Sequence, residues 1–223
     1  MTLLLLASAP VFIIIIYIYL KDKYEKEPKI LLLKSFLFGA ILSIITTMII
    51  SSLATRVFPI TNGFSIGQQF VKAFIVVALV EEFSKYIIVR YYAQPKKDFN
   101  EPFDGIVYAV MVSMGFAFTE NLFYVFDGGI STALIRAFTA VPAHATFGIV
   151  MGYFMGIAKF SNKKWIYNLT GFLVATILHG AYDFFLFLDF IPGIWIGAFV
   201  SLLIGTLLSR KAIKAHQQNS NFK

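Results

Sequence analysis

The sequence predicts an all-α integral-membrane protein, a polytopic bundle of about seven transmembrane helices. Three observations predict it. Of 223 residues, 58% are hydrophobic and 14% charged, whereas a soluble domain carries about 25% charged residues. Apolar runs long enough to cross a hydrocarbon core recur along the whole chain, without the two-residue alternation of a membrane β-barrel. Lysine and arginine gather in every second connection between those runs. The net charge of +7 therefore reflects loops on one side of a bilayer and not nucleic-acid binding. Cysteine is absent, which excludes disulfide scaffolds, thiolate metal sites and cysteine nucleophiles.

The elements follow in order. Leu3–Leu20 contains no charge and no basic stretch precedes it, so it reads as an anchor and not a cleavable signal. Phe36–Leu53 is a second uncharged run. Phe70–Tyr92 is apolar apart from Lys72, Glu81, Glu82, Lys85 and Arg90. Gly105–Phe126 carries Glu120 and Asn121, and Thr132–Ala158 carries Arg136, Pro142 and His144. Ile166–Leu188 carries His179 and Asp183, and Ile191–Leu208 closes the set. Fifteen of the 19 basic residues fall after the first, third, fifth and seventh runs or near their ends. The positive-inside rule then puts the N-terminus outside and the C-terminus in the cytoplasm. Short connections make residues 1–223 a single membrane domain, with its core helices at about 70–188.

Ionisable groups inside hydrocarbon cost about 2.5–3.5 kcal/mol each on insertion scales. Here they sit in the third to sixth runs: Glu81, Glu82, Lys85, Glu120, Arg136, His144, His179 and Asp183. The first, second and last runs are clean, so the middle four enclose a polar site. Counting rise per residue from the outer ends puts Glu81 and His144 about 15–20 Å deep, and Glu120 and His179 about 10–15 Å deep. A cavity reaching them opens outward. Glu81 and Glu82 each stand one helical turn from Lys85, so either carboxylate can pair with it. His179 and Asp183 share a face. His144 begins a ladder with Gly148, Gly152 and Gly156 that lets a neighbouring helix approach closely. Pro142 is expected to bend the helix and free a carbonyl toward the cavity. Arg136 is near enough to the outer surface to snorkel, or it pairs with Asp183. Structural readings stand beside these: a packing ion pair for Glu81, Glu82 and Lys85, and an interhelical clamp for Glu120 and Asn121.

The runs EEFSK (81–85), GFAFTEN (115–121), VPAHATFGIVMGYFMG (141–156) and LHGAYDF (178–184) together resemble the PrsW family of bacterial intramembrane proteases. YLKDKYEKEP (19–28) and FDGIVYAVMVSMGF (103–116) extend the likeness over nearly the full chain. The resemblance implies a multi-pass protease of the bacterial cell membrane. Its expected partner is a membrane-anchored anti-sigma factor, given its first, site-1 cut outside the cytoplasm so that an envelope-stress sigma factor is released. Wider relatives are the CAAX prenyl endopeptidases, which share a paired-glutamate motif; Lys85 departs from their pattern, where an arginine stands one step later.

On that resemblance Glu81 is the base that activates water. Glu82 is held by Lys85, His144 or Asn121 donates to the oxyanion, and His179, oriented by Asp183, binds the water. No cofactor is required by this reading. Two histidines and a glutamate are also a zinc donor set, and Glu81, His144 and His179 would supply it; there is no HExxH. A proton-coupled transporter and a non-catalytic docking protein are the readings from other classes, though no inverted repeat supports the first.

Overall fold

A computed structural model describes residues 2–220, and all secondary structure there is helical. Helix α1 is Thr2–Lys21 and α2 is Lys29–Val57, with a π-helical turn at Gly39–Ser43. Helix α3 is the unbroken run 66–93: α-helical Ile66–Val71, π-helical Lys72–Ala78, α-helical Leu79–Ile88 and π-helical Val89–Ala93. Then come α4 (Pro102–Phe138), α5 (Ala140–Phe160), α6 (Lys164–Phe187) and α7 (Ile196–Gln218).

Five helical stretches among the described residues are long and apolar enough to cross a membrane: Thr2–Lys21, Lys29–Val57, Pro102–Phe160, Lys164–Phe187 and Ile196–Gln218. The seven separate runs read from sequence divide differently. The fourth and fifth fall within one 59-residue stretch, and the third is the charged, partly π-helical α3. Large apolar side chains such as Leu5, Ile13, Met48, Phe126 and Leu203 stand more than half exposed. A surface so covered is stable against lipid and not against water, as befits a multi-pass membrane protein.

Local chemistry sets the boundaries. Helix α4 opens with a capping box in which the Asp104 carboxylate accepts the Glu101 N–H at 2.8 Å, and Pro102 occupies the first turn, where its missing N–H costs nothing. Ser65 caps α3 by accepting from the Gln68 N–H. Helix α7 starts later than the apolar run at Ile191, because Gly193 (φ 77°) sits in the turn that separates it from α6.

Gly129 (φ 70°, ψ −157°) folds α4 back on itself. From there the chain descends along α4 in one antiparallel register. Arg136 meets Asn121, Ser113 meets His144, Gly148 meets Ala109, and Gly152 meets Gly105. The register passes unchanged through a break at Thr139 (φ −125°, ψ −80°). That break corrects the bend expected at Pro142, which lies in the first turn of α5 and so removes no hydrogen bond. The glycine ladder is what seats α5 on α4: a Cβ at Gly152 would lie 2.3 Å from the Gly105 carbonyl oxygen. The same device seats α2 on α4, where a Cβ at Gly39 would lie 2.0 Å from the Val112 oxygen. The stretch 102–160 is accordingly the buried centre, with 72% of its apolar window covered, against 17% for α1 and for α2.

Candidate active site

The α-helical part of α3 carries Glu81, Glu82 and Lys85, all buried. Glu120 comes from α4, His144 from α5, and His179 and Asp183 from α6. They meet. Lys85 Nζ donates to Glu82 Oε1 at 2.7 Å and lies 3.5 Å from Glu81 Oε2. It also stands 3.1 Å from His144 Nδ1 and 4.2 Å above the Phe116 ring. An ammonium has no lone pair, so Nδ1 accepts; Nε2 of a neutral His144 then carries the hydrogen and donates to Glu120 Oε2 at 3.0 Å.

His179 is held in the same way from the other side. Its Nδ1 donates to Glu82 Oε1 at 2.9 Å. Its Nε2 lies 3.3 Å from Asp183 Oδ2 and 3.9 Å from Glu81 Oε2. The ring stacks on Phe147 with centroids 4.8 Å apart. Glu82, with no exposed surface, thus fixes both Lys85 and His179 from behind. Glu81 Oε2 accepts no hydrogen bond.

A cavity of about 440 Å³ opens in front of Glu81, Glu120, His144, His179 and Asp183. Glu82 and Lys85 do not line it. Asn121 is also outside it: Asn121 Nδ2 donates to the Ala7 oxygen at 2.8 Å, and Asn121 Oδ1 accepts from Arg136 Nε at 2.7 Å. Those bonds hold Asn121, which was expected as a candidate oxyanion donor, buried behind the cavity wall. Arg136 does not snorkel and does not pair with Asp183. Its Nη2 lies 2.5 Å from Glu120 Oε2, because the chain reversal at Gly129 carries it back to that depth. Phe147, three residues beyond His144, was missed in the sequence reading; its position one turn along the same helical face was the available signal.

One donor atom from each of Glu81, His144 and His179 lies within 4.8 Å of the other two. The free Glu81 oxygen and a histidine whose second nitrogen is anchored on a buried carboxylate are features of a metal-binding set. His144 and His179 each have both ring nitrogens engaged, so each would have to release a partner to join it. Glu81, His144 and His179 could hold a metal ion, with zinc matching their donor types.

Residues 27–209 match the family model described as PrsW family intramembrane metalloprotease. Protease PrsW of Geobacillus kaustophilus is 39% identical over 196 residues, which is 87% of this chain and 84% of that protein. Protease PrsW of Oceanobacillus iheyensis is 40% identical over 80% of each chain, and that of Bacillus subtilis 36% identical over 80% of this chain and 79% of its own. No solved structure matches. These likenesses select a peptidase over the transporter and docking readings. With its buried glutamates and histidines gathered at one cavity, the chain belongs to the PrsW family and is a membrane-embedded protease.

Proposed function

We propose that this protease makes the first cut in a membrane-anchored anti-sigma factor, on its extracytoplasmic side, with Glu81 as the base. The arrangement behind this reading has seven passes, an external N-terminus and residues 1–223 as one domain, with 70–188 forming its core. The observation that carries it is Glu81 Oε2 at the cavity wall, which accepts no hydrogen bond and lies 3.5 Å from Lys85 Nζ and 3.9 Å from His179 Nε2.

In this mechanism Glu81 Oε2 takes a proton from water held between it and His179. The proton passes from Glu81 to the departing amine as the peptide bond breaks. His144 turns its Nε2 hydrogen from Glu120 Oε2 to the developing oxyanion, while Lys85 keeps hold of Nδ1. Glu82 and Asp183 hold His179 in orientation, and the surrounding apolar helices exclude bulk water. Glu81→Gln should lower cleavage of the purified substrate by roughly 10²–10⁴-fold with the fold intact. Full activity in that variant would remove Glu81 as the base.

A second reading is favoured by the proximity of the three donors and by the family description. Glu81, His144 and His179 would hold zinc, which supplies Lewis-acid polarisation of a carbonyl and acidification of water. Metal analysis of the purified protein with a chelator titration separates the two. Stoichiometric zinc that is lost together with activity favours the second; full activity without metal favours the first.

A further inference from the structure

The cavity has a cationic wall residue, Lys72, that no acidic side chain of the described residues pairs with. Lys72 lines it, together with Val77 and Glu81. On a regular α-helix this is the wrong face, because nine residues are about two and a half turns and put Lys72 opposite Glu81. The π-helical stretch Lys72–Ala78 changes the phase. The i→i+5 winding turns less per residue than an α-helix, which swings Lys72 toward the face of Val77, and Val77 lies about one α turn above Glu81, so all three line the cavity. The irregular winding therefore brings the ammonium to the cavity.

Lys72 has no acidic partner there. Its Nζ lies 4.1 Å from the centroid of the Phe187 ring, and no carboxylate of the described residues forms an ion pair with it. The other cavity-lining cation, Arg136, is already taken by Glu120. The apolar ring beneath Lys72 holds the ammonium while leaving its N–H groups unpaired.

We propose that Lys72 is a specificity-determining residue that binds a carboxylate of the peptide being cut. Nine helical residues, seven of them in the π winding that rises less per residue, separate it from Glu81 by about 12 Å, which an extended peptide spans in about four residues. The preferred substrate thus carries Asp or Glu about four positions from the scissile bond. This rests on the reading of Glu81 as the base at the cutting end of the cavity.

The test uses the purified full-length protein in detergent and a panel of quenched-fluorescent peptides of uncharged residues. A single Asp is moved along the panel one position at a time, and cut sites are read by mass spectrometry. The wild type should show about tenfold higher kcat/KM when Asp falls about four residues from the bond cut, the effect of one charge-assisted hydrogen bond. Lys72→Ala should flatten that dependence and Lys72→Arg should keep it. Lys72→Glu should transfer the preference to peptides carrying Lys in place of Asp, a gain that misfolding cannot produce. A wild type indifferent to the Asp position, or a preference undiminished in Lys72→Ala, overturns the proposal. Cleavage persisting in Glu81→Gln overturns the placement of the base, and with it the distance argument, while leaving a charge preference at Lys72 separately readable.

Discussion

His179 and Glu82 are joined by a 2.9 Å hydrogen bond between two buried side chains. The bond ties α6 to α3 and sets which ring nitrogen faces the cavity. Replacing Glu82 by Gln keeps the shape but allows the amide to present either end, and removes the charge opposite Lys85. Activity should fall about 10–100-fold, as for other groups that orient a reactive imidazole. The loss should appear in kcat with KM little changed, measured by steady-state cleavage of a fixed peptide.

Arg136 links the chain reversal to the site through Glu120 and Asn121. Arg136→Ala leaves a mostly buried carboxylate without its cation, a change that typically costs about 3–5 kcal/mol. The double variant Arg136→Ala, Glu120→Gln should recover much of the lost thermal stability, because no uncompensated charge remains. Differential scanning fluorimetry of the two variants checks this; equal midpoints would show that the pair contributes little.

The α4–α5 crossing predicts a severe response to one methyl group. Gly152→Ala would drive its Cβ into the Gly105 carbonyl oxygen, 2.3 Å away. Separating the helices should cost about 1–3 kcal/mol. A Gly67→Ala control, where nothing lies within 4 Å of the added carbon, should leave the thermal midpoint within a degree or two.

The connection between α1 and α2 predicts a pH dependence of stability. Burial, reinforced by Asp104, raises the Glu27 carboxyl from 4.5 to about 10, and burial raises Asp22 from 3.8 to about 6. The folded protein then binds more protons than the unfolded chain across those intervals, so stability falls as pH rises. The contribution is full below about pH 4 and is lost progressively as pH climbs toward the folded values. The thermal midpoint in detergent should therefore drop between pH 5 and pH 9, and Glu27→Gln should make that decline shallower and raise the midpoint at pH 8.

Much of the site was legible because ionisable side chains in apolar runs are conspicuous. Glu81, Glu82, His144 and His179 stand out by composition alone, and one-turn spacing joins Glu82 to Lys85 and His179 to Asp183. The destination of Arg136 was not legible, since it depends on the positive φ at Gly129, and that glycine could equally have sat in an open loop. The partners of Asn121 were not legible either, because spacing gives its face but not its bonds, and Ala7 and Arg136 come from distant parts of the chain. Lys72 escaped for a different reason. Every facing argument from sequence assumes a constant 3.6-residue turn, and α3 departs from it at Lys72–Ala78.

Where α4 meets α5, the backbone of Pro102 and Gly105 lies against that of Gly156 and Gly152. Between α6 and α3, Gly180 faces the Phe74 ring, and Phe70 and Phe184 pack beside it. Rings can rotate where backbone cannot. The α4–α5 seam is thus fixed backbone to backbone, while α3 and α6 meet through rings that can turn, and the placement of glycine sets which seam is which.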